Sequence, residues 1–298
     1  MSRAKRDITI TLLLLAAVFL CVRLFLSRVS DDRSATAADP YCLMLPTPRA
    51  VLSVNRPASF KRLILPAERI GSLFTERIPA RLLAILRELP DEKAFQIAYY
   101  EEGEVFYASL TRSAARHLFR HLDSAFPFAP QTQEESAVPI RYYPDSGKRF
   151  LGCYYHAGIF VASYDRGLLR RTLRRQLEGD APLPPLAEAR ANSRNATINL
   201  FLPAEPLDLA VPIDDSTEWR IRGRWLSLDL FFSEGSLCCF SERTYEPFPS
   251  DTARLADTLL PQMRDTVEAR VNGWFPKLKT AVQVGHDEST VFYTLCAQ

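Results

Sequence analysis

The hydrophobic pattern changes character along the chain, and the first change is the sharpest. Residues Ile8 to Leu26 (ITITLLLLAAVFLCVRLFL) are apolar on every face, with Arg23 as their one charge. At 1.5 Å per residue such a run covers the hydrocarbon thickness of a bilayer, and a helix of a folded core is seldom apolar all round. Beyond it the pattern becomes periodic. Arg49 to Asn55 alternates as a strand does, and Pro57 to Leu89 shows helical spacing, with Pro79 between two apolar faces. The first face carries Ile70, Leu73, Phe74 and Ile78, and the second Leu82, Leu83, Ile85 and Leu86.

A unit of strand, turn, strand and helix then recurs. Ala94 to Tyr100, the turn Glu101-Glu102-Gly103 and Glu104 to Leu110 form a hairpin. Thr111 caps a helix behind it, with the stripe Ala115, Leu118, Phe119, Leu122 and Phe126. Arg149 to Tyr155, His156-Ala157-Gly158 and Ile159 to Tyr164 repeat the order, with Asp165 capping a helix from Arg166 to Leu177. Trp225 to Phe232, Ser233-Glu234-Gly235 and Leu237 to Arg243 make a third hairpin, followed by a helix from Ser250 to about Thr266. A further strand is predicted at Ala196 to Leu202, and edge strands at Ile140 to Tyr143 and Thr290 to Leu295. Strands paired this way are antiparallel and carry their helices on one face. The fold class is therefore α+β, an antiparallel sheet of recurring strand-turn-strand-helix units behind one N-terminal transmembrane helix. In Trp225 to Phe232, Leu226, Leu228, Leu230 and Phe232 point to one side. Trp225, Ser227 and Asp229 point to the other, as in a sheet with one wet face.

Charge orients this frame. Arg3, Lys5 and Arg6 outweigh Asp7 before the apolar run, whereas Arg28 and Arg33 cancel Asp31 and Asp32 after it. The excess on the short side places it in the cytoplasm. The expected organisation is a cytoplasmic tail (1–7), a span (8–26), a polar spacer (27–47) and an exported domain (48–298) with a subdivision near 180–195. Two rivals to an uncleaved anchor exist. Ala35-Thr36-Ala37 fits a signal-peptidase site but lies far from the apolar run, and lipidation at Cys21 is disfavoured by Leu20 before it.

The chain has 47% hydrophobic and 24% charged residues, which suits a globular domain, and its net charge of +2 gives no reason to expect a nucleic-acid partner. With 21 prolines against 11 glycines, glycine-rich phosphate loops are not expected, and no cofactor is. Cys42, Cys153, Cys238, Cys239 and Cys296 follow the anchor without zinc-ligand spacing and read mainly as small buried hydrophobes.

The order of features resembles a family of Gram-negative bacterial single-pass envelope proteins built from ββα units, to which no activity is assigned. RAVLSVNRPASFKRLIL after the anchor, GCYYHAGIFVASYDRGLLRRTLRRQL and WLSLDLFFSEGSLCCFSERTY carry the likeness. It implies an inner-membrane protein with a periplasmic domain, and it transfers no site residues.

Candidate chemistry is sparse. His117 and His121 share a helix face but lack the Glu of a zinc protease motif, and no third ligand is evident. No nucleophile motif is present, and no metal site is expected. The acidic pairs Glu101-Glu102, Glu134-Glu135 and Asp214-Asp215 read as solvated turns, and Asp229 as a hydrogen-bonded strand residue. The richest constellation is Arg166, Arg170, Arg171, Arg174 and Arg175 on one helix, opposite Leu169, Leu173 and Leu177. Guanidinium groups on adjacent turns repel unless an anion lies nearby. That anion is acidic side chains of the same domain, lipid headgroups or an anionic envelope polymer, the last two making the helix a site for an anionic surface or envelope partner. A non-enzymatic envelope binding or scaffolding domain is the expectation. An envelope-acting hydrolase with a site assembled from distant residues is the alternative.

Overall fold

The computed structural model describes residues 13–26, 39–179, 195–203, 209–212, 218–221, 225–233, 236–244, 261, 264–265, 268–269, 271–274, 280–286 and 290–297. Residues 13–26 form helix α1, with most of its large apolar side chains more than half exposed. The first five residues of the expected span lie outside the described residues. Among those described, no helix is long and apolar enough to cross a membrane.

The fold is α+β, but its sheet is larger than the hairpin count suggests. After a short 3-10 turn (Pro40–Leu43), β1 (Ala50–Val54) leads to α2 (Pro57–Ser59) and a π-helical turn (Phe60–Ile64). Then come α3 (Glu68–Thr75), α4 (Ala80–Glu88), β2 (Phe95–Tyr99), β3 (Glu104–Ser109) and α5 (Arg112–Ala125). β4 (Gln131–Glu135), β5 (Val138–Pro144), a turn at Ser146–Lys148, β6 (Phe150–His156), β7 (Ile159–Ser163) and α6 (Arg166–Glu178) follow. The last strands are β8 (Ile198–Pro203), β9 (Leu209–Pro212), β10 (Glu218–Ile221), β11 (Trp225–Ser233), β12 (Ser236–Thr244), β13 (Thr280–His286) and β14 (Thr290–Ala297). Twelve strands join one sheet in the order β13-β14-β12-β11-β8-β1-β2-β3-β7-β6-β5-β4, and β9 pairs with β10 apart from it. Every pairing in both sheets is antiparallel.

The expected capping residues act as predicted. The Thr111 side chain accepts from the Ala114 N–H at 3.2 Å, and Asp165 accepts from the Leu168 N–H at 2.6 Å. Each closes one of the free donors at a helix start. In the β6–β7 turn Ala157 and Gly158 both take positive φ, as a two-residue hairpin turn of primed type requires.

Helices do not all lie on one face. α3, α4 and α5 cover one side of the sheet, where Phe60, Phe95, Phe106, Phe160 and Tyr143 meet Leu82, Leu86, Leu118 and Leu122. α6 covers the other, its Leu168, Leu169 and Leu173 packing with Val105, Tyr107, Tyr154 and Val161. The cause is visible in the strands. Val105, Phe106, Tyr107 and Ala108 are consecutive and all buried, so both faces of β3 are apolar and both must be covered. Gly152 marks the closest approach of α6: a Cβ there would come within 2.5 Å of Leu169 Cδ2.

β11 corrects a second expectation. Leu228 and Leu230 join the larger core, and on the opposite face Asp229, expected on a polar side, is buried. The ladder aligns Asp229 with Asn199, Asn199 with Ser53 and Ser53 with Gln96 across four strands. Asn199 donates to Asp229 Oδ1 and accepts from the Asn55 amide, so the polar row is stitched from β11 across β8 to Asn55, just beyond β1. The edge strands also move inward. β5 and β14, expected at edges, are flanked by β4 and β13. The helix expected from Ser250 to about Thr266 falls mainly outside the described residues, as does the 180–194 stretch of the expected subdivision.

Candidate functional site

Most of the arginine helix is engaged within the protein. Arg170 Nε lies 2.7 Å from Glu135 Oε2, and Arg171 lies 3.0 Å from Glu102 Oε1. Arg175 Nε donates to the Cys42 carbonyl at 3.1 Å. The acidic pairs that read as solvated turns thus supply two of these partners. A third member, Glu101, pairs with Arg49 at 2.9 Å. Arg171 holds the Glu102 carboxyl below its ordinary range, chiefly through their hydrogen bond. Arg174 is exposed and has no protein partner among the described residues. A cavity of about 410 Å³ lies between Arg49, Arg171, Tyr100, Glu101 and Glu102, and there charge meets its opposite on the protein itself.

Arg166 goes elsewhere. It stands at the first turn of α6, donates to Gln133 Oε1, and stacks 5.2 Å above the Tyr142 ring. It lines a cavity of about 320 Å³ with Gln131, Gln133, Lys148, Arg149, Phe150 and Tyr164. Three basic side chains line this space and no carboxylate does. Arg149 is exposed and stacks 4.9 Å above the Tyr164 ring. Its guanidinium N–H groups have no protein acceptor among the described residues. A guanidinium ordered by an aromatic face keeps its planar fork of donors for an external oxyanion.

The turn that presents these cations is held in an uncommon conformation. Gly147 and Lys148 both take positive φ, 70° and 61°. Lysine in that region costs about 1 kcal/mol or more, which the surrounding contacts must offset. Asp145 anchors the turn by accepting from the Ser146 N–H at 2.8 Å and from the Tyr164 hydroxyl at 2.5 Å. Arg81 approaches the same carboxylate at 3.5 Å. Burial pushes the Asp145 carboxyl up, but the Tyr164 hydroxyl, the Ser146 N–H and Arg81 together hold it below the usual carboxylate range.

Arg149 and Tyr164 also line a second cavity, of about 530 Å³, on the α4 side. Its other walls include Glu76, Arg77, Arg81, Asp145 and Ser146. Arg77 donates to the Trp274 carbonyl at 2.7 Å and stacks on the Trp274 ring, while Arg81 stacks on Phe126. The two cavities are lobes that share Arg149 and Tyr164 as walls, one on the α6 side and one on the α4 side.

The other residues singled out in the sequence do not gather. His117 is exposed, and His121 Nδ1 lies 3.7 Å from Glu88 Oε2. Among the described residues no group of three metal-ligating side chains exists. Burial pushes the Cys153 thiol up, and Cys153 and Cys42 carry free thiols. The side chains of Cys238, Cys239 and Cys296, and all of Asp214-Asp215, lie outside the described residues. Sequence reasoning missed Arg77, Arg81, Lys148 and Arg149 as a group, since they come from the α3–α4 connection, the first turn of α4 and the β5–β6 connection. The one available signal was the Gly147-Lys148-Arg149 run between the strand expected at Ile140 to Tyr143 and the one expected from Arg149.

Neither a scan against protein-family models nor a search of curated proteins gives a match. Among solved structures the chain is similar to TP0453 in crystal forms III and I, with 11% and 10% identity and a TM-score of 0.46 for each. Both alignments cover 88% of this chain, and 95% and 94% of the two structures.

Proposed function

We propose that this protein is a membrane-anchored binding domain of the bacterial cell envelope, without catalytic activity, that holds an anionic partner in the cleft around Arg149. The observation that carries the reading is the α6-side lobe, where Lys148, Arg149 and Arg166 face one cavity with no carboxylate in its lining. Charges of one sign around a concave surface raise the local concentration of an oppositely charged ligand. The lining has hydrogen-bond donors in excess and lacks a nucleophile with an adjacent base, which suits holding a ligand rather than transforming it. The apolar run 8–26 and its flanking charges support an anchor with the domain on the periplasmic side. The resemblance to ββα envelope proteins supports the same placement.

Two measurements test this. In the first, detergent-solubilised full-length protein is titrated calorimetrically with polyphosphate at rising salt. Binding that weakens with salt and falls about tenfold or more in Arg149→Gln is expected, because a charge-assisted hydrogen bond contributes about 1.5–3 kcal/mol. Binding indifferent to Arg149 removes the cleft from the proposal. In the second, protease is added to spheroplasts. Digestion of the domain from outside is expected, and protection until the membrane is broken overturns the orientation.

A further inference from the structure

The α6-side lobe contains more than cations. Gln131 and Gln133 sit at alternate positions of β4, and their register partners Tyr142 and Ile140 lie on β5. The Gln131 amide has no protein partner among the described residues, and Gln133 uses only its oxygen, on Arg166. Each therefore has amide donors left over. Phe150, beside Arg149, is 43% exposed although it is a large apolar ring. An inorganic anion would use the guanidinium groups and none of these.

We propose that the cleft binds a segment of an acidic, carboxylate-bearing polysaccharide, with its carboxylates on Arg149 and Arg166, its hydroxyls on the Gln131 and Gln133 amides, and a sugar ring against Phe150. This rests on the anion-binding reading above and names its ligand class. Three features select it. Amide side chains offer donor and acceptor together, as ring hydroxyls do. An exposed aromatic face beside polar groups packs against the C–H side of a sugar. Arg149, Arg166, Phe150 and the two glutamines line the one α6-side lobe, so its ligand must present charge, hydroxyls and an apolar ring face together. A glycerol-phosphate headgroup has no such ring, and the α6-side lining (glutamine, tyrosine, lysine, arginine, phenylalanine and serine) offers an acyl chain no aliphatic bed. An acidic peptide would satisfy the guanidinium groups and, through its backbone, the amides, but its charged side chains offer Phe150 no ring face to pack on.

The test is calorimetry on full-length protein in detergent with five probes: a short oligogalacturonate, its methyl ester, a poly-glutamate of matched charge, phosphatidylglycerol vesicles and inorganic phosphate. The oligogalacturonate is expected to bind at least tenfold more tightly than each of the others. Arg149→Gln and Phe150→Ser are each expected to weaken it about tenfold, and Arg174→Gln to leave it unchanged, with circular dichroism confirming that the variants fold. A tighter grip on poly-glutamate or on vesicles overturns the polysaccharide in favour of that class. Equal binding of the methyl ester removes the carboxylate requirement and overturns it too. Phosphate binding that depends on Arg149, without preference for the oligomer or effect of Phe150→Ser, removes the polysaccharide while the anion cleft stands. If no anion responds to Arg149→Gln, both readings fall.

Discussion

Asp145 decides how the cleft's turn behaves in acid. Its carboxyl is depressed in the folded protein, so it stabilises the fold fully above its unfolded value of about 4 and loses that contribution as pH falls through the folded value. Thermal unfolding followed from pH 7 to pH 2 is expected to fall less steeply in Asp145→Asn than in the parent chain. The same variant should be less stable at pH 7, where the parent carboxylate is charged and bonded. Gly152→Ala tests packing under α6, because the added methyl meets Leu169 Cδ2 and, at 3.0 Å, Tyr142 Cε1. A loss of about 1–3 kcal/mol in urea unfolding is expected, the usual cost of an overfilled site. Individual residues were the least legible level of the sequence. Asp165 and Thr111 announced their caps by position, since capping is local chemistry. Asp145 and Arg149 owe their roles to Arg81 and Tyr164, which no local pattern connects to them.

At the scale of elements, legibility followed hydrophobic periodicity. The hairpins β2–β3 and β6–β7 and helices α5 and α6 lie close to where alternation and stripe placed them. β4 escaped notice because its sequence, Gln-Thr-Gln-Glu-Glu, contains no apolar residue. It is a strand because β5 offers it a ladder, and it closes the sheet with an edge that charge protects from further pairing. The arginine helix shows the limit of reading one element alone. Its spacing was plain, but the partners of Arg170 and Arg171 come from β4 and the β2–β3 turn. Asp165→Ala probes this element directly. Loss of the cap should cost about 1 kcal/mol of stability, measured by urea unfolding. It should also loosen Arg166 in the first turn and weaken polyphosphate binding by a few fold in calorimetry.

For the whole molecule, the α+β class was readable, whereas two-sided coverage shows only in the continuous apolar runs of β3 and β7. The polar row from Asp229 to Gln96 crosses the sheet where an apolar face would otherwise run. Asn199→Ala removes the amide that both accepts from Asn55 and donates to Asp229. A global loss of about 2–3 kcal/mol is expected by chemical denaturation, since a buried carboxylate forfeits a donor. Replacing Asn199 and Asp229 together by leucine is expected to cost less than the single change.

β1 has a consequence for how the molecule is made. It stands in the middle of the sheet, with Leu52 facing Ile97 on one side and Leu200 on the other, yet among the described residues it is the first strand in chain order. One flank is closed by the hairpin that follows soon after. The other waits, with open N–H and C=O groups, until the chain has delivered everything up to β8. A central strand left half-paired for that long is a template for the wrong neighbour. A chain halted between α6 and β8 would leave that edge of β1 open, with its N–H and C=O groups free to pair elsewhere.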